Sequence, residues 1–413
     1  MKEQIKALVK ERMSNRRIIL FGAGVIAEEF YEEYKDILNI SHCVSNIKKE
    51  WGKEMFLEKL DVKRFDKKEI GEKDYLIVCG PIAFRSIEQQ LNVDGFKMYE
   101  DFVESHIASA IFQGKKIALF YGQCILRDMY QCIIQIPAFT EKYTAIWTQA
   151  LKDQAVLTNR IVFYTKELCD LYVYTPKLLD HDSIYFLSPD ELPKACQIVS
   201  VSNLVVSLYW PQIDTKVTSF NEWYLHPYHI KRDMDFYHSL YRRADCNINK
   251  MVSEGKTTAQ IVNCLSDEGY YSKKQIEGNK KLCFKLIDIA EKNIDIKVGD
   301  YIRENYHTTM LYQNFTHPNK CIIWEYIRRL FNKIGISVPE LSQLEEEAPK
   351  HVHQGGDVPI YPGVAKYMNL DFVNENTKYE IVTGRESVYM TFTEYIEHYV
   401  EYTRKAMEII RLW

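Results

Sequence analysis

The sequence predicts an α/β protein with a small Rossmann-like parallel sheet followed by a larger α/β domain with helical additions. Short apolar strands alternate with amphipathic helices, a glycine turn follows the first strand, and the same pattern restarts after Gly114. At 413 residues the chain is too long for one ordinary hydrophobic core. We therefore expect two domains, at residues 1–112 and 113–338, followed by a C-terminal extension at 339–413.

Composition narrows the class of protein. Hydrophobic residues make up 46% of the chain and charged residues 27%, with a net charge of −4. This balance offers no broad basic field for nucleic acid. The chain has no apolar run of about 18 residues, and residues 1–13 mix charged and apolar residues at helical spacing instead of forming a signal peptide. We expect a soluble, cytoplasmic protein without a membrane span or a nucleic-acid partner.

The cysteines and histidines do not indicate a metal site. Ten cysteines are scattered along the chain without a close CxxC pair, which indicates reduced thiols in a long chain of this kind. The near histidine pairs are His226 with His229 and His351 with His353. Solvated or packing histidines are the simpler explanation of both pairs, so we predict no metal.

The first domain begins with a strand, a glycine turn and a helix. Residues 17–21 form the strand, and Gly22 and Gly24 make the turn. The elements that follow are predicted as strands near 42–44 and 75–79 and helices at 84–91 and 99–112. This alternation predicts a small parallel sheet with helices packed on it.

The glycine turn suggests a phosphate-binding site. Backbone amides at Gly22 and Gly24 can approach a phosphate at the start of the following helix. However, Ser45 and Asn46 stand where a nicotinamide-binding fold would have an acidic residue for the ribose. A sugar nucleotide, or no ligand at all, is therefore favoured over a redox dinucleotide.

The second domain repeats the alternation and then becomes helical. Its predicted strands are 117–121, 143–147 and 171–174, its first helix is 125–136, and an apolar stretch covers 198–210. A helical region from about 220 to 306 follows, and then Pro318 begins an amphipathic helix. The C-terminal extension ends in a helix at 392–413 that we expect to pack on the second domain. Its aromatic residues, such as Tyr395 and Tyr399, suit core packing or a homodimer contact.

A cysteine lies where the strand 117–121 turns into a helix. Open α/β sheets place ligand sites at the carboxyl ends of their strands, and Cys124 comes directly after this end. A thiol at a helix N-terminus is close to unpaired amides and to the positive end of the helix dipole, which lower the pKa of a thiol and can stabilise an oxyanion. Cys124 is thus a candidate for acyl-transfer chemistry. The alternative is a small buried packing residue.

A histidine precedes the late amphipathic helix. At this position the helix dipole is expected to lower the pKa of His317 and to keep it a neutral base near pH 7. The alternative is that His317 simply caps the helix. Cys124 and His317 are far apart in sequence, so only the fold can bring them together.

At these two segments the chain resembles the WcbI-type polysaccharide biosynthesis proteins, a bacterial family with a fold distantly similar to SGNH hydrolases. Members have a Gly-Asn-Cys-Gln turn after a first strand, matched here by residues 122–125, and an Asn-His-Pro segment, matched by 316–318. The strand ending at Thr175 and the position of Gln212 after a later apolar stretch also agree. The resemblance covers about residues 115–335.

The resemblance implies an acetyltransferase of the bacterial cytoplasm. It implies coenzyme A binding, acetyl-coenzyme A as the acyl donor, and a sugar hydroxyl of a capsular or cell-surface glycan precursor as the acceptor. Cys124 and His317 would be catalytic. The residues implied to contact coenzyme A are Gly122, Gln123, Gln212, Thr316 and Asn319.

Two departures from the family pattern adjoin the cysteine. Gln123 replaces asparagine and Ile125 replaces glutamine, so one hydrogen-bonding side chain next to the thiol is missing. Two other functions fit the same residues. One is a glycan esterase or deacetylase on an SGNH-like scaffold, and the other is a non-catalytic module that binds sugar nucleotides or assembles a glycan-synthesis complex.

Overall fold

The computed structural model contains two compact units. The described residues are 1–48, 54–55, 60–80, 84–122, 124–149, 166–176, 187–204, 206–213, 245–314, 317–338, 357–383 and 386–411. The first unit comprises Met1–Val201 and Asn332–Glu347, and the second comprises Ser202–Phe331 and Ala348–Trp413. The domain limits expected at residues 112 and 338 stay a prediction.

The first sheet has the strand order of a Rossmann fold. Its strands are β1 (Arg17–Phe21), β2 (Ile40–Ser45), β3 (Glu54–Met55), β4 (Leu60–Arg64), β5 (Asp74–Val78) and β6 (Phe102–Glu104). The order is β3-β4-β2-β1-β5-β6, and only the β3–β4 pair is antiparallel. The five parallel strands therefore have the first strand in the middle, as in dinucleotide-binding folds. The helices of this part are α1 (Lys2–Asn15), α2 (Val25–Tyr34), α3 (Phe84–Val93) and α4 (Ser105–Phe112).

The predicted helix 99–112 is wrong in its first part. Phe102 and Val103 are fully buried because β6 adds to the edge of the sheet and pairs with Leu76 and Ile77 of β5. The helix α4 begins only after Glu104, whose carboxylate caps it. Burial in the sheet thus outweighs the helical spacing of the sequence.

The second sheet is entirely parallel. Its strands are β7 (Lys116–Gly122), β8 (Tyr143–Gln149), β9 (Cys169–Tyr174) and β10 (Gln197–Ser200), and its helices are α5 (Cys124–Ile133) and α6 (Pro137–Thr140). The order is β10-β9-β7-β8. The three predicted strands are confirmed. The predicted helix 125–136 is observed from Cys124 to Ile133, and Pro137 then starts the separate helix α6. The apolar stretch 198–210 forms a strand only as far as Ser200.

Both parallel sheets contribute to one hydrophobic core of the first unit. Successive residues of β7 face opposite sides: Phe120 contacts the rings of Tyr130 and Phe139, whereas Leu119 and Tyr121 belong to the core that also contains the apolar residues of β1 and β5. The helix α4 contacts β5 and β6 of the first sheet and β7 and β8 of the second. The fold class predicted from the sequence, α/β with parallel sheets, is therefore confirmed.

The second unit is mainly helical. Its helices are α7 (Cys246–Ser253), α8 (Thr258–Leu265), α9 (Lys273–Ala290), α10 (Gly299–Asn305), most of α11 (Lys320–Ile334), α12 (Pro362–Met368) and α13 (Phe392–Arg411). Two antiparallel hairpins join β11 (Tyr312–Asn314) to β12 (His317–Pro318) and β13 (Tyr379–Thr383) to β14 (Glu386–Met390). The helical region is confirmed from residue 246 onward, and α13, which contacts α7 and α8, confirms the terminal helix as far as Arg411. In the described part of the chain, no helix has the length and apolarity needed to cross a bilayer.

Candidate functional site

The cysteine turn lies at the switch point of the second sheet. From the central strand β7 the chain first adds β8 on one side and later β9 on the other. Open parallel sheets bind ligands outside the strand ends at such a point. Gly122 ends β7 and Cys124 begins α5, so the structure brings both predicted residues to this edge. Gln123, between them, lies outside the described residues.

Gly122 is in close contact with the end of the neighbouring strand. A Cβ atom at this position would lie 2.8 Å from Oγ1 of Thr175 and 2.6 Å from Cδ1 of Leu126. The backbone N–H of Thr175 also donates a hydrogen bond to the carbonyl of Tyr121, at 3.3 Å. Thr175 therefore borders the cysteine turn. The sequence marked it only as a strand end, because its position beside β7 depends on the strand order.

Cys124 differs from the other cysteines of this sheet in its exposure. Cys124 is partly exposed, whereas Cys132, Cys169 and Cys196 are buried. None of the ten cysteines forms a disulfide. A partly exposed thiol in the first turn of a ten-residue helix can reach both solvent and the unpaired amides of that turn.

A buried carboxylate lies one turn after the cysteine. Asp128 is fully buried and shares a face of α5 with Cys124, since residues four apart lie one above the other on a helix. Its Oδ1 accepts from the guanidinium of Arg127 at 3.2 Å. Asp128 has no role among the residues predicted from the sequence, although its i+4 spacing from Cys124 is a signal that could have found it.

His317 lies in a hairpin of the second unit. It pairs with Asn314 across β11 and β12, and its Nδ1 lies 2.9 Å from Oδ1 of that fully buried asparagine. A carboxamide oxygen only accepts, so Nδ1 carries the hydrogen and Nε2 is the basic nitrogen of the neutral ring. Asn314 therefore selects the tautomer that a general base needs. Pro318 belongs to β12, and the helix starts at Lys320, so the prediction that Pro318 lies in the first helical turn is wrong: pairing with Tyr312 holds it in the hairpin.

Two of the residues implied to contact coenzyme A have different surroundings. Asn319 connects β12 to α11, and its side chain donates to the carbonyl of Met310 while its backbone N–H donates to that of Leu311. Gln212 is 3% exposed, and both its Nε2 and Oε1 lack a hydrogen-bond partner among the described residues. A buried amide without partners is costly, so Gln212 is the one more suited to receive a polar ligand group. Thr316 lies outside the described residues.

The glycine turn of the first sheet lies at the corresponding switch point, between β1 and β5. Gly22 has φ +121°, and a Cβ atom there would collide with the carbonyl oxygen of Cys79 at the end of β5. Gly24 precedes α2, and no described atom lies within 4 Å of the position that a Cβ atom would take there. The backbone N–H of Gly22 already donates to the carbonyl of Val44, at 2.9 Å, so the exposed Gly24 is the residue of this turn that a phosphate can approach. Asn46 donates to the side chain of Gln90 on α3, at 2.7 Å.

The predicted site residues are divided between the two units. Gly22, Gly24, Gly122 and Cys124 belong to the first unit. His317, Asn319 and Gln212 belong to the second. The pairing of Cys124 with His317 stays a prediction.

A metal site is not evident in the described part of the chain. No group of three or more His, Cys, Asp or Glu side chains there is placed to hold a metal ion. The histidine pairs His226 with His229 and His351 with His353 lie outside the described residues.

These features define an α/β protein with two parallel sheets and a cysteine at the switch point of the second. A scan against protein-family models gave no match, and a search of curated proteins gave none either. Among solved structures, the chain is similar to WcbI, described as a novel polysaccharide biosynthesis enzyme, in a native form without a disulfide bond between coenzyme A and one of its cysteines. The TM-score is 0.53 at 16% identity, over 70% of this chain and 90% of WcbI. This likeness supports a distant WcbI-like relationship in fold.

Proposed function

We propose that the chain transfers an acyl group, such as acetyl, from acyl-coenzyme A to a sugar hydroxyl in polysaccharide biosynthesis. The observation that carries the proposal is Cys124 at the start of α5, directly after the central strand β7 and at the switch point of the sheet. The fold shared with WcbI, which is described together with coenzyme A, supports the choice of donor. In the reaction the thioester bond breaks, an ester forms on the sugar, and the thiol of coenzyme A takes up the proton of the hydroxyl.

Two routes are compatible with these residues. In the first, the thiolate of Cys124 attacks the thioester and carries the acyl group before the sugar receives it, and His317 removes the proton of the sugar hydroxyl. In the second, His317 activates the sugar for direct attack and the amides at the start of α5 stabilise the oxyanion. Nδ1 of His317 is held by Asn314 at 2.9 Å, so in both routes Nε2 is the atom that takes the proton.

Coenzyme A binding tests the proposal first. We expect coenzyme A to raise the melting temperature of the protein, because a ligand that binds only the folded chain stabilises it. Gln212→Ala should weaken this effect, since the pantetheine arm has amide groups that match the buried amide of Gln212, for which no described residue is a hydrogen-bond partner. Gln275→Ala, which removes an exposed side chain at the start of α9, is the matched control from the same unit. No stabilisation by coenzyme A together with cleavage of simple esters would favour the esterase instead.

Trapping distinguishes the two routes. The protein is incubated with acetyl-coenzyme A, and its intact mass is measured with and without a sugar acceptor. The covalent route predicts an acetyl group on Cys124 that is absent from Cys124→Ala. An active enzyme without this adduct, or a Cys124→Ala variant that keeps most of its activity, would rule out the covalent route and leave the direct one.

The role of His317 has its own test. His317→Ala should abolish transfer, while Asn314→Ala should lower kcat by about 10–100-fold and leave coenzyme A binding intact, because the ring loses the partner that fixes its tautomer. The pH profile of kcat should also shift in Asn314→Asp, because a carboxylate 2.9 Å from Nδ1 favours the protonated ring. An unchanged profile in Asn314→Asp would mean that His317 is not the base.

For the first sheet we propose a sugar nucleotide as the ligand. The Rossmann strand order and the turn at Gly22 and Gly24 favour a phosphate-bearing ligand, and Ser45 with Asn46 at the end of β2 disfavour a nicotinamide dinucleotide. Calorimetric titration with UDP-glucose and with NAD compares the two. Binding of sugar nucleotides without any acyl transfer by a folded protein would favour the non-catalytic assembly module.

A further inference from the structure

Two buried thiols meet at the edge of the second sheet opposite to the cysteine turn. Cys169 is the first residue of β9, and Cys196 directly precedes β10. Both belong to the hydrophobic core of the first unit, Cys169 with no exposed surface and Cys196 with 8%. The thiol of Cys169 donates to the carbonyl of Leu171, at 3.2 Å, and the thiol of Cys196 to the carbonyl of Gln197, at 3.7 Å. The two thiols also lie close enough for each to affect the pKa of the other. The proposed acyl transfer uses neither residue.

The strand pairing gives this pair the spacing of a disulfide. β9 and β10 are parallel, with Leu171 opposite Gln197. Against β7 the register of β9 shifts at this point, because Ile117 pairs with Cys169 and Ala118 with Leu171, so Asp170 is an extra residue. Continued past Asp170, the pairing puts Cys169 opposite Cys196, with both side chains in the core of the first unit. Neighbouring strands lie about 4.8 Å apart, so the two Cα atoms are separated by about 5 Å. Disulfides span Cα distances of roughly 4.4–6.8 Å, so the bond needs little movement of the backbone.

A lysine makes the two thiols unequal. The ammonium group of Lys2 donates to the carbonyl of Cys169 at 3.2 Å and forms an ion pair with Asp170. The hydrogen bond from Cys169 and the positive charge of Lys2 lower the pKa of Cys196, against burial and the charge of Asp170. The same hydrogen bond and burial raise the pKa of Cys169 well above its usual value. Cys196 is therefore the thiol that reacts first.

We propose that Cys169 and Cys196 form a redox-active dithiol that low-molecular-weight disulfides oxidise reversibly to an intrachain disulfide. The thiolate of Cys196 attacks one sulfur of the reagent, whose S–S bond breaks and releases one thiol. Cys169 then loses its proton to solvent and attacks the sulfur of Cys196, which releases the second thiol. Two electrons pass from the protein to the reagent, and a thiol reductant reverses the reaction.

Peptide mapping tests the proposal on the full-length, reduced protein. The protein is treated with oxidised glutathione under native conditions, its remaining thiols are alkylated, and it is digested with trypsin without reductant. We expect the peptides Glu167–Lys177 and Ala195–Lys216, each of which contains a single cysteine, to be recovered as one linked species that reductant separates. A glutathione adduct on the exposed Cys246 shows that the reagent has reacted with the protein. Recovery of both peptides in alkylated form under these conditions would overturn the proposal.

Three variants assign the roles of the residues. Cys169→Ser should retain a stable glutathione adduct on Cys196, whereas Cys196→Ser should leave Cys169 unmodified. Lys2→Gln should slow the first step several-fold. Lys6→Gln is its matched control, because Lys6 also lies near Asp170, at 3.8 Å, but does not act on Cys196. Far-UV circular dichroism checks that each variant is folded. Equal rates in the two lysine variants, or an adduct on Cys169 alone, would contradict the order of attack.

Discussion

Gly122 is the residue on which the shape of the cysteine turn depends. Its missing side chain lets Thr175 and Leu126 approach the backbone of β7 directly before Cys124. Both neighbours are buried, Thr175 with 2% exposed surface and Leu126 with none. The turn therefore has no room for a methyl group, although the backbone of Gly122 is ordinary strand backbone with no positive φ.

We predict that Gly122→Ala lowers the free energy of unfolding by about 1–3 kcal/mol, because an extra methyl group in a packed core displaces its neighbours. It should also weaken coenzyme A binding, since Thr175 and the start of α5 are pushed apart. Urea unfolding and thermal shift measure the two effects. The matched control is Gly278→Ala in α9, where a Cβ atom would meet no described atom within 4 Å and where alanine should stabilise the helix by about 0.5–1 kcal/mol. Equal stability of the two variants would contradict this account of the turn.

The sequence was sufficient to place Cys124 but not its neighbours. A strand, a short turn and a helix are local features, and residues 117–124 carry all of them. The contact with Thr175 requires that β9 lies next to β7, and the bond from His317 to Asn314 requires the β11–β12 hairpin. Both depend on pairing between strands, which periodicity does not specify.

Helix α4 shows how a capping residue defines an element. The buried carboxylate of Glu104 accepts hydrogen bonds from the backbone N–H groups of His106, at 2.9 Å, and Ile107, at 3.2 Å. It also accepts from Nδ1 of His106, at 2.7 Å. Glu104 is both the last residue of β6 and the N-cap of α4. It therefore marks the point, within the predicted helix 99–112, where the strand ends and the helix begins.

The pair of Glu104 and His106 should make stability depend on pH. The negative charge of Glu104 raises the pKa of His106, against the effect of burial. The stabilisation is therefore fully present below the unfolded pKa of about 6.5, and it is lost as the pH rises through the higher folded pKa. We predict that the unfolding free energy of the native chain relative to His106→Gln is larger at pH 5.5 than at pH 8.5, as measured with urea. Glu104→Gln should remove most of this dependence on pH. If the dependence persists in Glu104→Gln, the ion pair of Glu104 and His106 is not its cause.

At the scale of the whole chain, the elements were easier to predict than their grouping. The apolar strands of both parallel sheets and the amphipathic helices of the second unit are evident from period and composition. The two-residue strand β12 was missed because it contains too few residues to show alternation. The β13–β14 hairpin was missed because polar residues interrupt both of its five-residue strands, whereas β1 and β5 each have four consecutive apolar residues. The division into units depends on which buried faces pack together. Helix α4, for example, packs against both parallel sheets and so places them in one unit.

A buried aspartate connects three distant segments of the second unit. Asp245 is the N-cap of α7 and accepts hydrogen bonds from the N–H groups of Asn247 and Ile248, both at 3.0 Å. Its other oxygen accepts from the hydroxyl of Tyr361, at 2.7 Å, and its backbone N–H donates to the hydroxyl of Tyr399 on α13, at 3.0 Å. No cation faces it among these contacts. Burial therefore raises the pKa of Asp245 to about 6, despite the hydrogen bonds that favour its charge.

This aspartate should destabilise the fold as the pH rises from about 4 to about 6, because the unfolded chain releases the proton at a pKa of about 3.9 and the folded chain only near 6. Above pH 6 the loss is constant, at about 3 kcal/mol. Asp245→Asn keeps the carbonyl oxygen that caps α7 and has no charge, so its urea midpoint relative to the native chain should rise between pH 4 and pH 7. Asp245→Ala loses the cap and should be less stable than Asp245→Asn at every pH. A midpoint difference between Asp245→Asn and the native chain that does not change with pH would show that Asp245 is already charged in the folded protein at pH 4, and that solvent reaches it.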